Sequence, residues 1–321
     1  MNPVRIGLIG TGGISHWHTR QLLELEEATI AAIADPGEES RRRWTSAFGL
    51  SSVPQYGDYA EMLEREELDA VVICSPHTQH YEQAKACLEK GLHVLVEKPM
   101  TCSSAEAESL LETADASGRV LQVSYQRHFQ PEFLYIKQAI EQGAIGRLTS
   151  VNATLYQDWS QGTTGTWRQN PSLSGGGMLM DSGSHIVDVL LWTTGLRPEE
   201  VKAFHSRQGT PVEIDSFTTI RFEGGVVAGL NIVGLSPCWY ESYIFAGDQG
   251  AIFMVDGSIT LRRRGKEPEI PTLPKQTTNQ DKSFVDAILG RHEIAVPGSF
   301  ALEVVRLTER IYEAAGYHPF D

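Results

Sequence analysis

Short apolar runs alternate with amphipathic stretches through the first 124 residues of this chain. Val4 to Ile9, Ala28 to Ala34, Ala70 to Cys74, His93 to Val96 and Val120 to Ser124 read as strands. They are nearly continuous in apolar residues, as expected where a sheet is covered on both faces. Between them, Gly13 to Leu25, Glu38 to Phe48, Tyr59 to Arg65, Thr78 to Glu89 and Ser103 to Ser117 read as helices. Asp58 stands where it can cap the third helix, and Gly91 and Gly118 follow the ends of the last two. This alternation predicts a doubly wound α/β domain, with a parallel sheet, over residues 1–124.

The pattern changes from residue 125. One helix, Glu132 to Glu141, stops before Gly143, and long alternating runs follow. These are Leu148 to Tyr156, Val201 to Arg207, Phe217 to Phe222, Val226 to Val233 and Tyr240 to Phe245. Glu223-Gly224-Gly225 is a hairpin signal between two of them. Residues 125–321 are expected to form an α+β domain around a large, mainly antiparallel sheet, with an exposed loop from Gly265 to Asn279. In the run after the hairpin, Val226, Ala228, Leu230 and Ile232 share one face, and Val227 and Val233 the other. A sheet apolar on both faces predicts helices over one and a second copy over the other, hence a homodimer or homotetramer.

Composition narrows the class. Of 321 residues, 41% are hydrophobic and 21% charged, the balance of a globular protein. No run approaches the ~18 apolar residues of a membrane span. The start Met1-Asn2-Pro3-Val4-Arg5 lacks the apolar core of a signal peptide, so the cytoplasm is expected. A net charge of −14 argues against nucleic acid and anionic membranes as partners. Arg41-Arg42-Arg43 and Arg262-Arg263-Arg264 read as solvated charge on a helix start and a hairpin. Cys74, Cys87, Cys102 and Cys238 have no CxxC spacing, so buried free thiols and no metal are expected.

The candidate chemistry begins at Gly7-Leu8-Ile9-Gly10-Thr11-Gly12-Gly13-Ile14-Ser15, where a glycine turn separates a strand from a helix. Gly10 permits the tight turn, and Gly12 lets backbone approach a pyrophosphate at the helix N-terminus. Ser15 takes the usual third glycine position. Asp35, 25 residues after Gly10, ends the second strand, where a carboxylate can accept from ribose hydroxyls. Gly10, Thr11, Gly12, Gly13, Ile14 and Asp35 are therefore expected to bind a dinucleotide. NAD is expected rather than NADP, because Asp35 would repel a 2′-phosphate and Arg41 to Arg43 should point down their helix.

Glu97-Lys98-Pro99 closes the fourth apolar run and delivers a lysine to the carboxyl end of a strand, where such sheets bind ligands. Farther on, Asp181, Ser184, His185 and Asp188 fall at i, i+3, i+4 and i+7 of an otherwise apolar helix preceded by Gly175-Gly176-Gly177. Gly183 within that helix suggests the close approach of something bulky. Moving a hydride from a carbinol to a nicotinamide requires loss of the hydroxyl proton. His185 can take that proton, Asp181 can orient or anchor, and the Lys98 ammonium can hold the developing alkoxide.

Four ordered motifs together resemble the Gfo/Idh/MocA oxidoreductase family over essentially the whole chain. They are Gly7 to Gly12, Pro76 with His80, Gly91 to Pro99, and Gly175 to Gly177 with Asp181, Gly183, His185 and Asp188. The resemblance implies a Rossmann domain, a C-terminal sheet domain used in dimers or tetramers, and redox chemistry on sugars and polyols. It implies Lys98, Asp181 and His185 at the reacting oxygen, and a cis peptide before Pro99. Ser75, Pro76, His80, Glu97 and Lys98 are its cofactor-side residues, while Tyr125, Arg127, Trp159, Trp167 and Arg168 lie where relatives line the substrate cleft. His77 stands where the family often has asparagine. The motifs predict an NAD-dependent dehydrogenase acting on a sugar, inositol or related polyol. A redox-neutral glycosidase or epimerase, and a non-catalytic nucleotide sensor, are the alternatives within the same family.

Overall fold

The computed structural model describes residues 2–318. The chain divides into two compact units: the stretch up to Gln126 with Thr278–Leu302, and Arg127–Thr277 with the chain from Glu303 on. The second is interrupted, because residues 278–302 belong to the first unit rather than to one continuous 125–321 domain. The physical reason is burial: Phe284 and Val285 complete an apolar cluster with Leu8, Leu22, Val72 and Leu95.

The first unit alternates strand and helix: β1 (Val4–Ile9), α1 (Gly13–Leu23), β2 (Ala28–Ala34), α2 (Glu38–Phe48), β3 (Gln55–Tyr56) and α3 (Tyr59–Arg65). It continues with β4 (Ala70–Ile73), α4 (His80–Glu89), β5 (His93–Glu97), α5 (Ser104–Ser117) and β6 (Leu121–Ser124). The six strands form one parallel sheet in the order β3-β2-β1-β4-β5-β6. Every residue of β4 is fully buried, as its unbroken Ala-Val-Val-Ile run requires. The strand order reverses between β1 and β4, and a crevice for ligands opens beyond the carboxyl ends at such a switch point. Those ends carry Gly10, Asp35, Ser75, Lys98 and Tyr125.

The second unit opens with α6 (Pro131–Glu141), β7 (Leu148–Tyr156) and two single-turn helices, α7 (Trp159–Gly162) and α8 (Pro171–Ser174). A π-turn, Leu179–Gly183, then leads into α9 (Ser184–Thr194). Six strands follow: β8 (Pro198–Ser206), β9 (Asp215–Phe222), β10 (Val227–Val233), β11 (Tyr240–Gly247), β12 (Gly250–Val255) and β13 (Ser258–Arg263). They join β7 in a seven-stranded sheet, β13-β12-β11-β7-β10-β9-β8, antiparallel except for β7 beside β10. Two helices without a counterpart in the sequence reading, α10 (Gln280–Ile288) and α11 (Gly298–Ala314), close the chain.

One face of this sheet is apolar and buried, through Val151, Ala153 and Leu155 of β7 and Ala228, Leu230 and Ile232 of β10. The opposite face presents Phe204, 79% exposed, opposite Phe217 on the neighbouring strand, with Val227, Tyr156 and Tyr240 also exposed. No helix among the described residues is long and apolar enough to cross a membrane.

Gly10 fixes the junction of β1, β4 and the first loop. Its φ is +90°, and a Cβ there would lie 2.7 Å from the carbonyl carbon of Cys74. Both the backbone conformation and the space exclude a side chain. Gly10→Ala should therefore cost more than about 2 kcal/mol of unfolding free energy in urea titrations.

Candidate active site

In the first unit, the glycine loop and the end of β2 are sewn together by Asp35. Its Oδ2 accepts from the Thr11 N–H at 2.8 Å and its Oδ1 from the Gly37 N–H at 2.8 Å. Thr11 Oγ1 meets Ser40 Oγ at 2.9 Å, which ties the start of α2 to the same loop. Ser15, at the third glycine position, is fully buried and donates to the Gly12 carbonyl at 2.6 Å. The Arg41 guanidinium folds back to donate to the Asp35 carbonyl. This differs from the expectation that Arg41 points away down the helix, and the free carbonyl at the strand end is what draws it back.

The loop fits a dinucleotide. A Cβ on Gly12 or Gly13 would meet nothing within 4 Å, so the space over them is open to a ligand. α1 begins with no side-chain cap and no acidic residue in its first turn, leaving its N–H groups aimed outward. Ile14, 39% exposed, is the apolar side chain beside this opening.

At the end of β5 the expected cofactor residues divide. The Lys98 side chain is partly exposed, and Lys98–Pro99 is a cis peptide. Glu97 is buried and turned inward: Oε1 accepts from His18 Nε2 at 3.0 Å and Oε2 from the Lys98 N–H at 3.2 Å. His18 Nδ1 meets Asp281 Oδ1 of α10 at 2.7 Å. Burial alone would lower the His18 pKa, but attraction and hydrogen bonding from Asp281, then Glu97, raise it to about 10. The Glu97 side chain is thus a partner of a buried imidazolium. His80 is likewise internal, with Nδ1 2.7 Å from the Pro99 carbonyl and Nε2 3.0 Å from that of Ser75. It clamps two loops, and burial lowers its pKa. Ser75 Oγ donates to Gln83 at 2.6 Å, and Pro76 is half-buried between these loops.

In the second unit, a cluster gathers around Asp181. Its Oδ2 accepts from Trp159 Nε1 at 2.8 Å and from Arg168 Nε at 2.9 Å. Arg168 in turn lies over the Trp167 ring, 4.5 Å from its centroid. The structure therefore brings four expected residues together: Asp181, Trp159, Trp167 and Arg168. His185 is half-buried one turn onward in α9, and Ser184 Oγ donates to the Asp181 carbonyl at 2.7 Å. Asp188, on the same stripe, is committed elsewhere, accepting from His128 Nε2 at 2.7 Å. The stripe is also not one continuous α-helix. Gly183 N–H bonds to the Met178 carbonyl at 2.8 Å, a five-residue step that places Asp181 inside a π-turn.

Two expected substrate contacts lie in the interior. Tyr125 is fully buried after β6. Arg127 pairs with Glu241 at 2.6 Å, donates to Tyr243 and lies over Phe133, so its guanidinium is an internal cation of the second unit. Among the residues missed from sequence, His18, Asp281 and Glu213 matter most. His18 shares the inward face of α1 with Ser15 and Leu22, and that burial pattern was its only signal.

Glu213 anchors the π-turn. Its Oε2 accepts from the Gly177 N–H at 2.7 Å and its Oε1 from the Leu179 N–H at 3.0 Å and the Tyr312 hydroxyl at 2.9 Å. A Cβ on Gly177 would sit 1.9 Å from the Glu213 carbonyl oxygen, so this glycine serves packing rather than a ligand. Gly183 behaves similarly, with the Ile232 side chain of β10 as the bulky neighbour.

These two sites on these two folds define a dinucleotide-binding oxidoreductase. Profiles of one oxidoreductase family match the chain twice, as an NAD-binding Rossmann fold over residues 4–125 and as a GFO/IDH/MocA C-terminal domain over 133–253. The chain belongs to the Gfo/Idh/MocA oxidoreductase family. It is 30% identical to inositol 2-dehydrogenase 4 of Saccharopolyspora erythraea, over 82% of this chain and 77% of that protein. It is 27% identical to the scyllo-inositol 2-dehydrogenase (NADP(+)) of Bacillus subtilis, over 84% and 74% respectively. The fold matches the WlbA dehydrogenase of Bordetella pertussis, solved with NADH and UDP-GlcNAcA, at a TM-score of 0.89 and 24% identity, covering 98% of this chain and 97% of that one.

Burial raises the Glu213 carboxyl to about 6, against the hydrogen bonds that favour its charged form. Because its folded pKa lies above the unfolded one, its contribution is full below pH ~4.5 and is lost as the pH rises to about 6. Relative to Glu213→Gln, the unsubstituted protein should therefore be more stable at pH 4 than at pH 7 by about 2 kcal/mol, measured by denaturant unfolding at each pH. A difference independent of pH would contradict the assignment.

Proposed function

We propose that this protein is an NAD-dependent dehydrogenase that exchanges a hydride with a ring hydroxyl of a cyclitol or sugar. The observation that carries the reading is the lysine delivered to the end of β5, beside the switch point whose first loop fits a dinucleotide. The inositol dehydrogenases among its relatives support the substrate class. A bound nicotinamide supplies the hydride acceptor. Gly12 and Gly13 leave room for its pyrophosphate, and the N-terminus of α1 favours that charge. His185 takes the hydroxyl proton as the carbonyl forms, and the Lys98 ammonium holds the developing alkoxide. Asp181, fixed by Trp159 and Arg168, anchors a neighbouring hydroxyl. The Trp167–Arg168 pair offers an apolar face and donors of the kind that sugar rings need.

NAD is the preferred cofactor in this reading, because the Asp35 carboxylate stands at the end of β2, where a 2′-phosphate would have to come. Arg41, folded against the Asp35 carbonyl, leaves a cation nearby, so NADPH binding is weakened rather than abolished. The exposed Phe204–Phe217 face of the second sheet is the proposed contact between copies, and the cytoplasm the proposed location.

Lys98→Ala should leave NADH binding intact by fluorescence while lowering turnover on the best substrate of an inositol and aldose panel by ~10³-fold or more. Unchanged turnover would remove Lys98 from the reaction. NADH should bind roughly tenfold more tightly than NADPH, and Asp35→Ala should narrow that gap. In light scattering, the unsubstituted chain should exceed the monomer mass, and Phe204→Glu should lower it.

A further inference from the structure

We propose that His18 is a positioning residue for Lys98, acting through Glu97, and that Asp281 holds His18 in place. The inference rests on the reading of Lys98 given above and adds what sets that lysine's position.

The geometry is a chain of four groups within the first unit. Asp281 Oδ1 lies 2.7 Å from His18 Nδ1, His18 Nε2 lies 3.0 Å from Glu97 Oε1, and Glu97 Oε2 accepts from the Lys98 N–H at 3.2 Å. With both carboxyls ionised, each oxygen facing the ring is an acceptor and both ring nitrogens donate, as an imidazolium does. His18 and Asp281 have no solvent exposure and Glu97 has 6%. Water therefore cannot substitute for any member. The Asp281 end is held as well. In the amide orientation that satisfies its neighbours, Gln21 of α1 donates to Asp281 Oδ2 at 2.8 Å. The titratable groups that bear on the chain are the buried Cys74 thiol, which burial keeps protonated, the His80 ring, and the Lys98 ammonium, which favours the Glu97 anion.

The arrangement answers a question that the active-site lysine poses. A side chain at the end of a strand takes its starting point from the backbone there, and here that backbone is held by a carboxylate with one oxygen on the Lys98 N–H. The other oxygen is fixed by a ring that α1 and α10 grip from both sides. Without the ring, Glu97 is a buried anion free to turn toward whatever donor it finds, including the Lys98 ammonium. An ammonium captured by Glu97 is withdrawn from the substrate oxygen. His18 thus keeps Glu97 turned toward the ring and the Lys98 N–H.

The test uses the full chain unsubstituted and as Lys98→Ala, His18→Gln and Asp281→Asn, none of which alters the dinucleotide loop. The readouts are NADH affinity by fluorescence, kcat and KM on the best substrate of the panel, and the labelling rate of Lys98 by trinitrobenzenesulfonate, read by peptide mass spectrometry. His18→Gln and Asp281→Asn are expected to lower kcat roughly 10- to 100-fold, as misplacement of a reacting group does. NADH affinity should stay within about twofold in both, and the Lys98 labelling rate should change in both. If Lys98→Ala abolishes turnover while both other variants keep full kcat and normal labelling, the positioning role is overturned and the reading of Lys98 stands. If Lys98→Ala turns over normally, the reading falls and the positioning role falls with it. Should neither variant fold, the unsubstituted protein decides by 15N-histidine NMR: one buried ring protonated at both nitrogens at pH 8 supports the proposal, and a neutral tautomer overturns it.

Discussion

A buried imidazolium between two carboxylates is the interaction on which the first unit turns. His18 joins three elements far apart in sequence: the helix after the glycine loop, the strand that ends in Lys98, and α10, which follows the whole second sheet. Burying three ionisable groups is costly unless each is paired, and removing one member leaves the others uncompensated. That asymmetry explains why residues 278–302 return to the first unit. Phe284 and Val285 bring apolar surface to the core, and Asp281 completes a charge balance that α1 and β5 cannot complete alone.

The second unit solves a related problem with a different anchor. Its π-turn carries Asp181 and must hold an unusual backbone against the sheet. The Glu213 side chain accepts from the Gly177 and Leu179 N–H groups at the start of that turn, and Tyr312 steadies the carboxylate. The glycines at 177 and 183 are the clearance that lets a β9-side backbone and an Ile232 side chain come so close. Asp181 is then held by two donors, Trp159 and Arg168, which leaves it rigid before any substrate arrives. In both units, a side chain expected at the chemistry is backed by a buried carboxylate that the chemistry does not use.

Most of the fold was legible because its signals are local. Apolar runs of four to seven residues located all the longer strands of the first sheet within one or two residues. The places of the glycine loop, Asp35 and Lys98 at strand ends were legible because each follows an apolar run, whereas the Asp181 stripe read as one helix is broken by a π-turn. What escaped depends on long-range pairing. Nothing near Asp281 in sequence indicates a partner 263 residues away. Arg127 looked like a ligand for hydroxyls because a lone arginine after a strand carries no sign of the Glu241 that takes it up. No motif indicated that the His80 nitrogens face the carbonyls of two neighbouring loops, or that the Glu97 oxygens face His18 of α1 and the Lys98 N–H. Arg41 was misdirected because helical projection ignores an open carbonyl at the preceding strand end.

The proposed reaction requires a dinucleotide on the glycine loop with its reactive end at Lys98. A crystal structure of the protein grown with NADH tests it most directly. The expected complex has a pyrophosphate against the N–H groups of Gly12 and Gly13, an adenosine ribose at Asp35, and a nicotinamide ring beside the Lys98 end of β5. A nucleotide seated elsewhere, or one whose nicotinamide points away from β5, would contradict it.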